Sequence, residues 1–154
     1  MLSEKKVVQF LIDGEYKSGF VEKSVLGYNE LQELDIIKLK AVIDGVEYHN
    51  TIESLGMEFA IIGLQQQMPD NVLLACCQTC SHGNFCPFGD NENEIFCLKN
   101  YTLKNKMDVV EIFASDLNAG LPKNELLFLC ESYNKINDDT YTYNCWNYYF
   151  KGWP

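Results

Sequence analysis

The sequence contains no arginine. Its twelve basic residues are all lysines, set against 22 acidic ones, for a formal net charge of -10. Arginine grips phosphate and guanine through a planar fork of donors. Its absence from an acidic chain argues against nucleic acid as a partner, and an anionic membrane surface is disfavoured on the same ground. An AT-rich coding sequence is the better account of the missing arginine, given fourteen asparagines and nine tyrosines. The lack of phosphate-binding capacity follows either way.

Histidine is nearly absent too, with only His49 and His82. No Ser-His-Asp spacing, glycine-rich phosphate loop or His-x-x-x-His pair occurs. Carboxylates are abundant, but in an acidic chain they read as a solvated face, and no spacing marks Glu125, Glu131 and Asp138 as an acid/base set. An enzyme is therefore the less supported class. No apolar run approaches the roughly 18 residues a membrane-spanning helix needs. The charged start Met1 to Lys6, followed by the short apolar run Val7 to Ile12, does not match a secretory signal. The expectation is a cytoplasmic protein without a membrane partner. At 154 residues and 47% apolar composition, the chain suits a single domain, 1–154, with a sizeable core.

The N-terminal third reads as antiparallel hairpins. Val8, Phe10 and Ile12 alternate up to Asp13-Gly14, after which Tyr16 to Glu22 returns. Ile37, Leu39, Ala41 and Ile43 lead to Asp44-Gly45, and Val46 to Ile52 returns. Asp-Gly between alternating runs is a strong hairpin signal. The similarity of Ile12-Asp-Gly-Glu-Tyr16 to Ile43-Asp-Gly-Val-Glu-Tyr48 fits a duplicated hairpin and convergent turn chemistry about equally. A helix follows, with Leu55, Phe59, Ile62 and Met68 near one face and Ala60, Ile61 and Leu64 broadening it, Ser54 as a candidate cap and Pro69 as its stop. Val72 to Ala75 reads as a buried strand, Ser81 to Asn93 as an irregular loop, and Glu94 to Lys99 as a returning strand. Asp108 to Leu117 fits either helix or strand. Glu125 to Tyr133 and Thr140 to Phe150 read as two strands. The fold expected is a β-rich α+β domain of antiparallel hairpins with one central helix and a cysteine knuckle.

Five of the seven cysteines fall between Cys76 and Cys97. In a chain without a secretory signal, thiols stay reduced, so metal ligation is a better use for such a cluster than disulfides. Zinc takes four thiolate or imidazole ligands tetrahedrally. Cys77 and Cys80 have the Cys-x-x-Cys spacing that presents two ligands from one turn. If Val72 to Ala75 is a strand, Cys76 and Cys77 point to opposite faces, and Cys76 is then a core residue. Cys97 on the returning strand is the natural third ligand. Cys86, Cys130 and His82 compete for the fourth place. Buried reduced thiols without metal, and thiol redox chemistry at Cys77 or Cys80, are the competing uses of the same residues. A thioredoxin-like site wants its pair at a helix N-terminus, and a Gly-Asn-Pro loop follows here instead.

Cys77-Gln-Thr-Cys80, Phe85-Cys-Pro-Phe-Gly89, Phe96-Cys97, the segment Glu125 to Cys130 and the closing Phe150-Lys-Gly-Trp-Pro154 together resemble a family of uncharacterised bacterial proteins. That family combines a Cys-x-x-Cys, a Pro-x-Gly loop, two further cysteines and a C-terminal aromatic-Arg/Lys-Gly segment, and it has no assigned activity. Lys151 stands where the family has arginine, and Cys76, Cys86 and Cys145 are additional. The resemblance covers the second half of the chain and implies Cys130, rather than Cys86, as the fourth ligand.

The function expected is therefore a small zinc-stabilised binding or interaction module with ligands Cys77, Cys80, Cys97 and Cys130. Its acidic surface suits a basic protein partner, for example in a toxin-neutralising role. The alternative is a thiol-dependent enzyme or redox protein working through Cys77 or Cys80. Oligomeric state and ligand identity are not written in the sequence. The C-terminal aromatic run reads as core unless its tyrosines prove exposed, in which case a partner or carbohydrate-like ligand becomes the better reading.

Overall fold

A computed structural model describes residues 2–28, 30–31, 35–50, 54–89, 92–115 and 120–150. Ile52, Leu117, and Lys151 with the residues after it, to which some of the expectations above were attached, lie outside these. Contacts gather the chain into two compact units, Met1–Leu74 and Ala75–Gly152. The fold is β-rich α+β, with predominantly antiparallel pairing.

In the first unit, β1 (Leu2–Ile12), β2 (Glu15–Tyr28), β3 (Asp35–Ile43) and β4 (Val46–His49) form an antiparallel meander. Both Asp-Gly pairs turn as their sequence requires. Asp13 and Gly14 have φ of 52° and 84°, and Asp44 and Gly45 have 51° and 79°. Two successive positive φ values give the turn whose twist matches the paired strands. Alternation then sends Val8, Phe10, Val21, Ile37, Leu39, Ala41 and Ile43 to the buried face. Gly19 lies on that face opposite Val8. A Cβ there would come within 2.7 Å of both a Phe10 ring carbon and the Val42 carbonyl oxygen. The missing side chain thus makes room for the fully buried Phe10 ring.

The short strand β5 (Ser54–Leu55) pairs with Ile36 and Ile37 of β3, and helix α1 (Met57–Gln67) follows and packs on β3. Gly56, with φ 78°, starts the helix. Ser54 does not cap it, because Ser54 is committed to the ladder two residues earlier. The helix ends ahead of Pro69, and Met68 is already extended, as the residue before proline must be. Its buried face is Met57, Ala60, Ile61, Ile62, Leu64 and Gln65, with Met68 beyond it. Leu55 and Phe59, expected on that face, are exposed. The strand β6 (Val72–Ala75) is buried throughout and lies beside β1 at the sheet edge.

Two buried amides complete this sheet where strands do not. Among the described residues, β4 pairs with residues 40–43 of β3 and β5 with residues 36–37, which leaves a gap in the ladder between them. Asn50 fills it. Its Oδ1 accepts from the Leu39 N–H at 3.0 Å and its Nδ2 donates to the Ile37 carbonyl at 3.2 Å. Gln65 of α1 does the same for β6, donating to the Val72 carbonyl at 2.6 Å and accepting from the Leu74 N–H at 3.0 Å.

The second unit has little regular structure. β7 (Gly83–Asn84), β8 (Ile95–Cys97) and β9 (Lys123–Asn124) form a three-stranded antiparallel sheet. Helix α2 (Lys106–Ala114) settles the ambiguity of that segment. Asn105 caps it by accepting from the Asp108 N–H, and Val109 and Phe113 enter a small core with Leu98, Leu103 and Leu121. The two C-terminal strands are not formed. Glu125 to Tyr133 runs through turns, and Thr140 to Phe150 is an irregular segment ending in the single-turn helix α3 (Trp146–Tyr149). Asn137 and Asn144 side chains bond backbone groups two residues away, which draws the chain away from ladder geometry. Among the described residues no helix is long and apolar enough to cross a membrane.

Removing Asn50 leaves a buried donor and a buried acceptor unpaired, each costing about 1–3 kcal/mol. Asn50→Ala should therefore lower unfolding stability by about 2–4 kcal/mol, read as a fall in the urea midpoint. A shift of less than a few tenths of a kcal/mol would mean that water replaces the amide at this gap.

Candidate metal centre

The cysteine-bearing turn starts where β6 ends. Cys76 is extended, with φ −162°, and Cys77–Thr79 forms one 3-10 turn. Thr79 N–H donates to the Cys76 carbonyl at 3.0 Å, and Cys80 N–H to the Cys77 carbonyl at 3.2 Å. One turn therefore carries Cys77 and Cys80 three residues apart. Gly83 N–H then bonds the Cys80 carbonyl, and β7 pairs Gly83 with Cys97 of β8. That pairing sets the third cysteine beside the turn. Cys130 arrives differently. Cys77 N–H donates to the Phe128 carbonyl at 2.7 Å and Gln78 N–H to the Leu126 carbonyl at 3.2 Å, which draws the segment leading to Cys130 against the turn. Tyr133 N–H closes a turn on the Cys130 carbonyl.

Electrostatics reports the same neighbourhood. Burial pushes the Cys77 thiol up to about 12, and Cys76, Cys80, Cys130 and Cys97 add to it by charge repulsion. Cys80 is raised chiefly by burial and also by Cys130 and Cys97, while backbone N–H groups of Asn134 and His82 oppose the rise. Cys97 and Cys130 thus act on both Cys77 and Cys80. Among the described residues, however, no group of three or more Cys, His, Asp or Glu is drawn close enough to hold a metal ion. The four thiols are neighbours, not a formed coordination sphere. As a donor set, four cysteine sulfurs fit zinc and leave it no open position.

The other candidates fall elsewhere. Cys76 is fully buried, its thiol pushed to about 12 by burial despite N–H contacts from Gln78 and Thr79, which agrees with its expected place in the core. Cys86 packs against the Leu98–Phe113 core. His82 gives its backbone, not its ring, with its N–H 3.5 Å from Cys80 Sγ. Its imidazole is held below its ordinary pKa by partial burial and then by Lys99. His49 is exposed on β4.

Composition and spacing do not point to the residues that support the turn. Gly83 is one. A Cβ at that position would collide with the Cys77 carbonyl oxygen and lie 2.9 Å from Ile95 Cδ1, so only glycine lets β7 pass this close. Its place three residues after Cys80 is the one available signal. Asn134 is another, accepting from Ser81 N–H at 2.6 Å through its carbonyl and donating from Nδ2 to Ser81 Oγ at 3.0 Å. Neutral amides spaced far along the chain offer no pattern to read.

No family model, curated protein or solved structure matches the chain.

The Gly83 approach is testable apart from any metal. Gly83→Ala should destabilise the metal-free protein by about 1–3 kcal/mol or more through overpacking. Gly120→Ala, where a Cβ would meet nothing within 4 Å, should stay within about 0.5 kcal/mol. Equal urea midpoints for the two variants would show that the Cys77 turn yields without cost.

Proposed function

We propose that the chain is a zinc-stabilised binding or interaction module in which Cys77, Cys80, Cys97 and Cys130 hold one zinc ion in a cysteine knuckle. The observation that carries this is backbone geometry: Gly83, bonded to the Cys80 carbonyl, pairs with Cys97, and the Cys77 and Gln78 N–H groups take the Phe128 and Leu126 carbonyls just before Cys130. Three segments far apart in sequence meet at that turn. The backbone N–H groups of His82 and Asn134 directed at Cys80 are of the kind that orient a ligand sulfur. The ligand set agrees with the one implied by the resemblance to the uncharacterised bacterial family, and membership of that family is part of the proposal. With four thiolates the ion is structural: it staples loops that have few strands and a small core of their own.

The alternative, a reactive thiol at Cys77 or Cys80, is disfavoured by the same burial. Reactive cysteines have lowered pKa values and solvent access, whereas both thiols here are raised and buried. The formal charge of -10 favours a basic protein as the partner of the module. Tyr148 and Tyr149 are exposed on α3 and pack edge to face on each other, which adds an aromatic element to the available surface.

Purified untagged protein should carry about one zinc per chain by elemental analysis. Cys97→Ser and Cys130→Ser should each lose it, and Cys86→Ser should retain it. Zinc retained by Cys130→Ser and lost by Cys86→Ser would transfer the fourth place to Cys86. Chelation should also lower the thermal midpoint, since a ligand present at a thousand times its Kd stabilises by about 4 kcal/mol. An unchanged midpoint after removal of bound zinc would refute a stapling role.

A further inference from the structure

We infer that the open edge of β4 is the surface on which a second copy of this chain docks, the two β4 strands pairing antiparallel about Tyr48 and joining two sheets into one. The inference concerns the first unit and does not depend on the zinc reading.

In the strand order of the large sheet, β4 stands at one end and β6 at the other. β6 is buried throughout, whereas Val46, Glu47 and His49 of β4 are exposed. Among the described residues no strand pairs with the far side of β4. Natural edges are commonly guarded by lysine, proline or a bulge. β4 carries neither lysine nor proline, and its register runs from Ile43 with Val46 to Lys40 with His49 without a shift.

The hairpin fixes which backbone groups are open. A two-residue turn closes on a bonded pair, here Ile43 and Val46, and bonded pairs alternate with non-bonded ones along the ladder. Ala41 and Tyr48 are the next bonded pair, so the N–H and C=O groups of Glu47 and His49 point away from β3. Asn50 agrees with this phase. Its side chain takes the Leu39 N–H and the Ile37 carbonyl, groups on odd-numbered residues of β3 like the bonded Ala41 and Ile43.

Residues directly opposite one another in a sheet share a face, which limits a two-fold pairing to registers centred on a residue. Centring on Glu47 or on His49 sets like on like, and centring on Val46 runs each strand into the turn of the other. Centring on Tyr48 matches Glu47 with His49 of the second copy, twice. Both matches are of the bonded kind, each exchanging two main-chain hydrogen bonds. The Glu47 carboxylate can also accept from the facing imidazole, and it lies 3.9 Å from Lys40 Nζ of its own copy, which holds it on this face. On the other face Tyr48 meets Tyr48 of the second copy at the close, non-bonded spacing, where aromatic pairs add to pairing. A Cβ at Gly63 would lie 3.2 Å from Asn50 Cβ, so that side of α1 flanks the end of β4. Phe59, one turn earlier on that side, is 47% exposed and Val46 50%, which gives the joined sheets apolar surface to cover.

The test is sedimentation equilibrium of the full chain. Its mean mass should rise from one chain toward two between about 10 µM and about 1 mM. Over that range the Glu47 and His49 amides should exchange about fivefold more slowly, while those of Val46 and Tyr48, already bonded to β3, stay unchanged. His49→Glu sets a like charge against Glu47 of the second copy and should raise the dimer Kd at least about tenfold; Glu47→Lys with His49→Glu should recover most of that loss. A dimer equally tight in His49→Glu, or no recovery in the double variant, would overturn the pairing. A chain monomeric at about 1 mM would overturn it too, and would leave the edge to an extended strand of another protein.

Discussion

Backbone groups that no strand or helix completes must find a partner or bear the cost of burial, and in this protein side-chain amides supply the partner. Asn50 bridges a ladder gap beside β3, and Gln65 covers β6. Asn84 and Asn144 take up backbone groups in the second unit, and Asn105 starts α2. An amide carries a donor and an acceptor at fixed separation, so it can stand in for one peptide unit of an absent strand. The first unit uses this twice in an otherwise regular sheet. The second unit, with strands of two or three residues, uses it at Asn84 and Asn144.

That difference decides what could be read from the sequence. The meander was legible because alternation and Asp-Gly turns are local and reinforce one another: Phe10, Leu39 and Ala41 fall on the buried face that their spacing predicts. Helix α1 was legible in extent. Its face was legible in large part: Ala60, Ile61, Ile62, Leu64 and Met68 are buried as expected, while Phe59 and Leu55 fit the period and yet are exposed, because the contact with β3 is tertiary information. In the C-terminal third the apolar and aromatic content of residues 140–150 imitates a strand. Asn144, whose side chain bonds the Gln78 carbonyl and also accepts from the Trp146 N–H, diverts that backbone from ladder pairing.

The candidate centre was legible to a different degree at each residue. Cys77 and Cys80 announce themselves by spacing, because two ligands on one turn are a local property. Cys97 followed from recognising a returning strand, and β8 is that strand. Cys130 has no local mark, and the strand first assigned to it does not form. The segment just before it lies against the Cys77 turn because the Cys77 and Gln78 N–H groups take the Phe128 and Leu126 carbonyls, a pairing invisible to any periodicity. Gly83, on which the close passage of β7 depends, looked like an ordinary loop glycine.

Phe10 over Gly19 bears on how the longest hairpin finds its alignment. Eleven paired positions of similar composition join β1 to β2, and long ribbons of this kind can slide. A slip of one position would turn Phe10 to the opposite face. A slip of two would return it to the same face with Lys17 or Val21 in place of Gly19, and neither leaves room for the ring. The absent side chain at 19 therefore works as a notch that accepts the ring in one alignment alone, giving the ribbon a single stable register.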